Sequence, residues 1–225
     1  MTTRILRRGY LHFSLYAEQT MGMPAVRTDF TPRRRWTAAQ VRDLMDESRH
    51  WPRYELIGGE LLVTPSPGWP HQIAVTEFWQ CIDAYVIAQK VGIAVTSPAD
   101  LELKVGTITQ PDVFVVPKAD LSDTDVTPKW ADVSGLVLAI EIISPSSVRT
   151  DRIIKRDFYL DAGVAEYWIV DLEARIVERW IPSRETPELA RTSLEWLPAG
   201  AATSLTLDLT DLFERIWAKY RLVFK

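Results

Sequence analysis

Residues 135–144 read GLVLAIEIIS, and this stretch decides the fold class of the chain. Its run of apolar side chains is typical of a strand that is buried on both faces of a sheet. Glu141 is the one carboxylate within it. A charged side chain that faces a dry interior is costly unless it is paired, hydrogen-bonded or metal-bound. The stretch therefore predicts a central strand with Glu141 as a candidate functional acid, the alternative being a solvated position at the sheet rim.

The segments on both sides of this strand alternate between helical and strand patterns. Thr37 is a suitable N-cap for a helix, and Gly58-Gly59 separates two apolar runs in the manner of a hairpin turn. The predicted helices are AAQVRDLMDE (38–47), HQIAVTEFWQCIDAYVIAQK (71–90), TDRIIKRDFYLDAG (150–163) and DLFERIWAKYRLVF (211–224). The other predicted strands are GIAVTS (92–97), ADLELKV (99–105), QPDVFVVP (110–117), EYWIVD (166–171), IVERWI (176–181) and SLTLDL (204–209), with a loop before the last. This order predicts an α/β domain in which helices flank a mixed sheet.

The composition is that of an ordinary globular domain. Of the 225 residues, 47% are hydrophobic and 25% are charged, which excludes the disordered and fibrous classes. No apolar run approaches about 18 residues, so we expect no transmembrane helix and no membrane partner. Cys81 is the single cysteine, which excludes an intramolecular disulfide and a thiolate zinc cluster. A lone cysteine fits a reducing compartment, and we expect a cytoplasmic protein.

The net charge of −4 is distributed unevenly along the chain. Residues 1–35 carry seven arginines against two acids and show neither helical nor strand periodicity, which predicts a poorly ordered basic arm. The folded domain is predicted over residues 36–225, which carry 19 basic and 28 acidic residues. A domain this acidic is not expected to grip nucleic acid by charge alone. Phosphate chemistry would therefore require a local basic patch or a metal ion.

A second acid stands where a strand is otherwise apolar. Asp112 follows Pro111 at the head of VFVV. A Pro-Asp pair at a strand start is also a common turn element, so a structural role is the alternative. If Asp112 and Glu141 lay on adjacent strands, their oxygens would form the kind of hard site that Mg²⁺ prefers, with waters and a substrate phosphate as further ligands.

The spacing of these acids resembles that of a known nuclease superfamily. Pro111-Asp112, followed about thirty residues later by Glu141 in a buried strand, resembles the PD-(D/E)XK arrangement. The wider chain resembles the Uma2 family of restriction-endonuclease-like proteins over roughly residues 53–181. The resemblance is carried by five motifs in the family's order, within the stretches YELIGGELLVTPSPGWPHQIAV, QPDVFVV, LAIEIISPSS and DRIIKRDFYLDAGVAEYWIVD. It implies a restriction-endonuclease-type mixed sheet flanked by helices and metal-dependent hydrolysis of phosphodiester bonds.

The lysine of the plain (D/E)XK motif is missing from its usual place. Two residues after Glu141 this chain has Ile143. The resemblance implies that the amine has moved to the following helix, where K-x-x-x-Y-x-x-x-G is intact at Lys155, Tyr159 and Gly163. Lys155 would orient or help deprotonate the attacking water. Its alternative is an ordinary solvated helix lysine.

Two further positions match the family pattern. His71 opens the long helix after the proline-rich loop, where it could touch a phosphate or a metal-bound water. Glu60 follows Gly58-Gly59 and could complete the metal shell with Asp112 and Glu141. A solvated helix start and the wet face of a hairpin are the respective alternatives.

One face of the helix after Glu141 is basic. Arg149, Arg152 and Arg156 follow one another at helical spacing beside Lys155 and could line a track for nucleic-acid phosphates. A solvated charge stripe is the alternative.

Together these observations predict a Mg²⁺- or Mn²⁺-dependent endonuclease that acts on nucleic acid, with DNA favoured over RNA. Cutting both strands requires two sites, and a homodimer is the simplest source of the second. The alternative is a domain that kept the nuclease fold, lost turnover and serves in binding or protein interaction. The acidic charge and the missing strand lysine favour that alternative, whereas the retained Asp112, Glu141 and Lys155 favour the enzyme.

Overall fold

The computed structural model describes residues 35–47, 52–121, 129–145 and 147–223. Residues 35–225 form one compact unit. The predicted basic arm lies outside the described residues, apart from Arg35. Within the described part of the chain, no helix is long and apolar enough to cross a membrane.

A six-stranded sheet forms the centre of the domain, as the sequence predicted. The bounds of its strands are β3 Gly92–Thr96, β4 Val113–Pro117, β5 Leu138–Ile142, β6 Tyr167–Asp171, β7 Ile176–Trp180 and β8 Glu188–Ala190. The strands lie in the order β3-β4-β5-β6-β7-β8, and every neighbouring pair is antiparallel except β5 and β6, which are parallel. The sheet is therefore mixed and mostly antiparallel.

Two small antiparallel hairpins and the helices complete the domain. The hairpins are β1 (Arg53–Ile57) with β2 (Glu60–Thr64), and β9 (Ser193–Trp196) with β10 (Leu205–Asp208). The helices are α1 (Ala38–Glu47), α2 (Trp69–Gln89), α3 (Arg156–Asp161), which continues a π-helical segment over Thr150–Lys155, and α4 (Leu209–Val223). Short 3₁₀ turns cover Lys118–Asp120 and Trp130–Asp132.

The predicted helix start and turns are confirmed. The hydroxyl of Thr37 accepts a hydrogen bond from the backbone N–H of Gln40, and the side chain of Gln40 accepts one from the N–H of Thr37, which is a reciprocal cap at the start of α1. Gly58 and Gly59 both have positive φ at the turn between β1 and β2, a conformation that glycine adopts without steric cost.

Two details of the prediction are wrong. Residues 99–105 form no strand, because Leu101 is the only one of them that pairs, in a single bridge with Thr109 across the turn at Gly106. The predicted loop before β10 contains the strands β8 and β9. Leu194 and Trp196 alternate inward in β9, so the strand signal was present but short.

The apolar core lies on both faces of the central sheet. One face packs against α2 and α4 through Phe78, Ile140, Trp168 and Phe213. The opposite face carries a second cluster that includes Phe114, Ala139, Tyr159 and Tyr167. Because successive side chains along a strand point to opposite faces, Glu141 lies on the same face of the sheet as Ala139 and on the opposite face from Ile140. The candidate site is on the face of Ala139 and Glu141.

Candidate active site

A cleft with a cavity volume of about 280 Å³ opens beside the end of β5. One wall is formed by the β1–β2 hairpin and the loop of residues 65–68, and the other by Ser144, Ser147, Thr150, Asp151 and Lys155. Four carboxylates line it, together with three basic side chains: Glu55, Asp112, Glu141 and Asp151, and Arg53, His71 and Lys155. Of the residues expected to be functional, Asp112, Glu141, Lys155 and His71 are thus brought together.

The pairing of β4 with β5 explains why Asp112 meets Glu141. The register sets Val113 opposite Ile140, and continuing it by one residue sets Asp112 opposite Glu141. The carboxylate of Asp112 accepts a hydrogen bond from the backbone N–H of Ile142, with a distance of 3.0 Å between N and Oδ2. Both acids therefore reach the same end of two adjacent strands.

Asp112 is held in its charged form by several donors. Its Oδ2 lies 3.0 Å from Nε2 of His71, and its Oδ1 lies 3.3 Å from Nη1 of Arg53. Burial alone would raise the pKa of Asp112, but the interactions with His71, Arg53 and the N–H of Ile142 outweigh it and lower the pKa to about 2. Asp112 is consequently an anion throughout the physiological range.

Lys155 lies at the bottom of the cleft between carboxylates. Its Nζ is 2.7 Å from Oε2 of Glu55, 2.9 Å from Oε1 of Glu141 and 3.8 Å from Oδ1 of Asp151. Burial would lower the pKa of Lys155, but the surrounding carboxylates, Glu141 first among them, raise it well above its ordinary value. Lys155 is therefore a buried ammonium in this state, not a solvated helix lysine.

A π-helical turn points Asp151 and Lys155 inward together. Both residues are buried, although they stand at the two ends of a single widened turn over Thr150–Lys155. The hydroxyl of Tyr167 donates to the backbone carbonyl of Asp151 at 3.0 Å and anchors this turn to β6. Single π turns are frequent at functional sites, because they redirect side chains without ending the helix.

Glu141 is a buried acid whose ionised form is disfavoured by its surroundings. It is buried, and this burial raises its pKa well above the ordinary value, an effect that Lys155 opposes and that nearby Asp112 reinforces. Its Oε1 also accepts a hydrogen bond from the hydroxyl of Tyr159 at 3.2 Å. Tyr159, which belongs to the K-x-x-x-Y-x-x-x-G pattern, thus contacts the site directly.

Glu55 is a site residue that the sequence analysis missed. It lies on β1, is buried, and accepts a hydrogen bond from the backbone N–H of Gln110 at 2.8 Å. The available signal was the same as for Glu141, an acid next to apolar residues in a predicted strand. Glu60, by contrast, is exposed beside the hairpin turn and is not among the described residues that line the cleft.

The three arginines that were predicted to line a phosphate track have different surroundings. Arg152 pairs with Glu178 and Asp171, at 2.6 and 3.2 Å. Arg156 pairs with Asp157 and lies over the ring of Trp180, 4.8 Å from its centroid. Arg149 is exposed. Two of the three thus already have acidic partners, and their role along a phosphate track stays a prediction.

The cleft offers ligand atoms that suit a hard divalent cation. Carboxylate oxygens are the ligands that Mg²⁺ and Mn²⁺ prefer, and the cleft has more acids than fixed cations. Among the described residues, however, no three histidine, cysteine or carboxylate side chains are grouped as a metal site. The ammonium of Lys155 lies between Glu55 and Glu141, and the oxygens of Asp112 are engaged with His71, Arg53 and Ile142.

Comparison with protein-family models matches residues 39–214 to the Uma2 family, described as "Putative restriction endonuclease". The chain belongs to the Uma2 family. The match extends beyond the segment that carried the resemblance and covers every residue of the cleft, so the family expected from the motifs is confirmed. No curated protein matches the chain.

A solved structure supports the fold of this Uma2 protein. It is described as a "putative nuclease belonging to DUF820" from Anabaena variabilis, and it is 23% identical to this chain with a TM-score of 0.61. The match covers 80% of this chain and 98% of that one. The predicted α/β fold, a mixed sheet flanked by helices in the manner of a nuclease, is thereby confirmed.

Proposed function

We propose that this Uma2 protein is a metal-dependent nuclease that hydrolyses phosphodiester bonds of nucleic acid, with DNA as the preferred substrate, in the cleft beside β5. The observation that carries the proposal is the convergence of four buried carboxylates with Lys155. Among the described residues that line the cleft, the only basic side chains are those of Arg53, His71 and Lys155. A phosphate would be repelled from such a cleft unless a cation entered with it.

Asp112 and Glu141 would hold the cation, Mg²⁺ or Mn²⁺. Glu55 is better placed than Glu60 to supply a third carboxylate, because Glu55 is buried in the cleft and Glu60 is exposed outside it. When bound, a divalent cation supplies positive charge next to the phosphoryl oxygens and favours ionisation of the attacking water.

The chain's own residues position the substrate and stabilise charge. Lys155, protonated between its carboxylates, would offset negative charge that develops on the phosphate, a role that needs position and charge and no loss of its proton. His71 would assist near the phosphate; its Nε2 contacts Asp112, and its buried Nδ1 has no partner among the described residues. Exposed Arg149 is the candidate for an outer phosphate contact, with Arg152 and Arg156 further along the track.

Calorimetry with Mn²⁺ tests the metal. We expect binding by the wild-type protein and loss of binding in Asp112→Asn, which keeps the size of the side chain and removes its charge. Asp161→Asn is the matched control, because Asp161 is an exposed acid that pairs with Lys104 outside the cleft. Equal Mn²⁺ affinity in Asp112→Asn and wild type would contradict a site built on Asp112.

Cleavage tests the reaction. Single- and double-stranded DNA and RNA are incubated with the protein and Mn²⁺, and the products are resolved on a denaturing gel. We expect cleavage that Asp112→Asn abolishes and Asp161→Asn preserves. If two copies of the chain supply two sites, light scattering during gel filtration gives the mass of a homodimer under the conditions of cleavage.

A second candidate function is a binding domain without turnover. The position of Lys155 between Glu55 and Glu141 favours it, because an internal ammonium neutralises the acids without any metal. Absence of both Mn²⁺ binding and cleavage, in a protein that is folded, would favour this candidate over the nuclease.

A further inference from the structure

The widened turn that carries Lys155 is closed at a single oxygen atom. The backbone carbonyl of Asp151 accepts a hydrogen bond from the backbone N–H of Arg156, the residue directly after Lys155. These two residues are five positions apart, so the bond encloses one residue more than an α-helical bond does. The same carbonyl oxygen accepts a hydrogen bond from the hydroxyl of Tyr167 at 3.0 Å. The bond that widens the turn and the phenol therefore meet at the same atom.

Tyr167 is itself fixed to the centre of the domain. It lies on β6, opposite Ala139 of β5 on one side and Trp180 of β7 on the other. Its side chain is fully buried, and its ring packs on that of Tyr159 with 5.0 Å between the centroids. A strand that is paired on both sides is among the last parts of a domain to open. The hydroxyl of Tyr167 therefore ties the turn to a stable part of the sheet.

The partners of Lys155 belong to other elements than its own turn. Its Nζ lies 2.9 Å from Oε1 of Glu141 on β5 and 2.7 Å from Oε2 of Glu55 on β1. Both contacts therefore depend on where the turn lies relative to the sheet and the hairpin. A return to α-helical closure would rotate the residues before Lys155 relative to α3. A displacement of about 1 Å in a group that acts by position can cost about 100-fold in rate.

From these contacts we infer that Tyr167 is a positioning residue of the site. Through the carbonyl of Asp151 it holds the π-helical turn in the geometry that places the ammonium of Lys155 between Glu55 and Glu141. The consequence for cleavage rests on the proposed function, whereas the placement of Lys155 does not.

Two tyrosine variants separate this role from a general loss of stability. Tyr167→Phe removes the hydroxyl and keeps the ring. Tyr85→Phe is the matched control, because the hydroxyl of Tyr85 also donates to a backbone carbonyl, that of Thr203, and Tyr85 is not among the described residues that line the cleft. Each variant loses one bond of the same kind, so an effect of lost stability alone would appear in both.

The first measurement requires no nuclease activity. The proteins are treated in EDTA with an N-hydroxysuccinimide ester of acetic acid, and mass spectrometry follows acetylation of each lysine with time. The side chain of Lys155 is 6% exposed, and exposed Lys118 outside the cleft is the internal reference. Relative to Lys118, Lys155 should react about fivefold faster in Tyr167→Phe than in the wild type, on the scale of one internal hydrogen bond. Tyr85→Phe should leave this ratio unchanged.

The second measurement is cleavage kinetics with Mn²⁺ on the DNA or RNA strand that the wild type cuts fastest. Tyr167→Phe should lower kcat by about fivefold or more and leave KM unchanged, because it displaces a group that stabilises charge in the transition state. Tyr85→Phe should retain both constants. Added to Lys155→Met, the change Tyr167→Phe should lower the residual rate no further, since the two residues act as one unit.

Each other outcome is decisive. Acetylation of Lys155 at the wild-type rate in Tyr167→Phe overturns the inference, whether or not the protein cuts nucleic acid. If acetylation rises as expected but the wild type cuts no probe, the nuclease proposal fails and the positioning of Lys155 by Tyr167 stands. If the wild type cuts and Tyr167→Phe cuts equally fast, or if its loss of rate is as large in Lys155→Met, the inference is overturned while the nuclease proposal stands.

Discussion

Replacing Lys155 by methionine tests whether the buried ammonium neutralises the acids of the cleft. Methionine has a similar length but no charge, so Lys155→Met leaves Glu55 and Glu141 without the cation that lies 2.7 and 2.9 Å away. Removing one partner of a buried ion pair costs about 3–5 kcal/mol. We expect a loss near the lower end of that range, because Glu141, whose pKa burial already raises, would then take up a proton.

The measurement is the free energy of unfolding from urea titrations followed by tryptophan fluorescence, in EDTA so that no metal contributes. Lys104→Met is the matched control. Lys104 pairs with Asp161, and their side chains are 39% and 80% exposed. An exposed pair of this kind contributes about 0–1 kcal/mol.

A second substitution distinguishes lost neutralisation from lost packing. In Lys155→Met, the further change Glu55→Gln removes one unpaired charge but leaves a side-chain oxygen to accept the N–H of Gln110. The double variant should recover about 1 kcal/mol or more relative to Lys155→Met, within the usual coupling of residues in one network. Strict additivity of the two changes, or a loss for Lys155→Met no larger than for Lys104→Met, would refute the reasoning.

Three further predictions concern other parts of the domain. Burial would raise the pKa of Glu77, but hydrogen bonds and charge from two α4 cations lower it below its ordinary value of 4.5. The stability that Glu77 contributes is thus full above that value and lost as the pH falls through the lower folded pKa. The difference in unfolding free energy between wild type and Glu77→Gln should shrink between about pH 6 and pH 3, and a constant difference would exclude the effect. Gly92→Ala should cost about 1–3 kcal/mol in urea unfolding, because its Cβ would collide with a β4 carbonyl oxygen, whereas Gly135→Ala, with open space around the new Cβ, should cost less. Arg152→Ala should lower stability by roughly 1 kcal/mol through loss of its two acidic partners; unchanged stability with a flatter salt dependence of DNA binding would favour the phosphate track instead.

Much of the fold could be predicted because the deciding signals are local. The apolar run that became β5, the Gly58-Gly59 turn and the cap at Thr37 each depend on residues a few positions apart, and all three were confirmed. The strand predicted over residues 99–105 did not form, because a local pattern cannot show whether a partner strand is nearby. Apolar and polar residues alternate in this segment as they do in strands, but strand formation also requires a neighbouring strand with which to pair.

The sequence predicted two acids of the candidate site, Asp112 and Glu141, from their positions in apolar strands, but it carried no comparable signal for Lys155. Asp112 and Glu141 were identified because a carboxylate in an apolar strand is costly wherever the strand lies. Lys155 had no such signal, since lysine on a helix is ordinarily solvated. Its assignment depended on the family pattern, and its burial became evident only with the tertiary structure.

The sequence by itself thus determined which residues are anomalous for their surroundings, namely two acids in apolar strands of a mixed α/β domain. Only the tertiary structure decided that they meet, because the alternation of side chains specifies a face of a strand but not its neighbour or register. The β4–β5 register sets Asp112 beside Glu141, the widened turn before α3 points Lys155 at both sheet and hairpin, and Glu55 arrives from a hairpin 100 positions earlier in the chain than Lys155. Contacts between residues so far apart depend on packing of the whole domain, which no local pattern encodes.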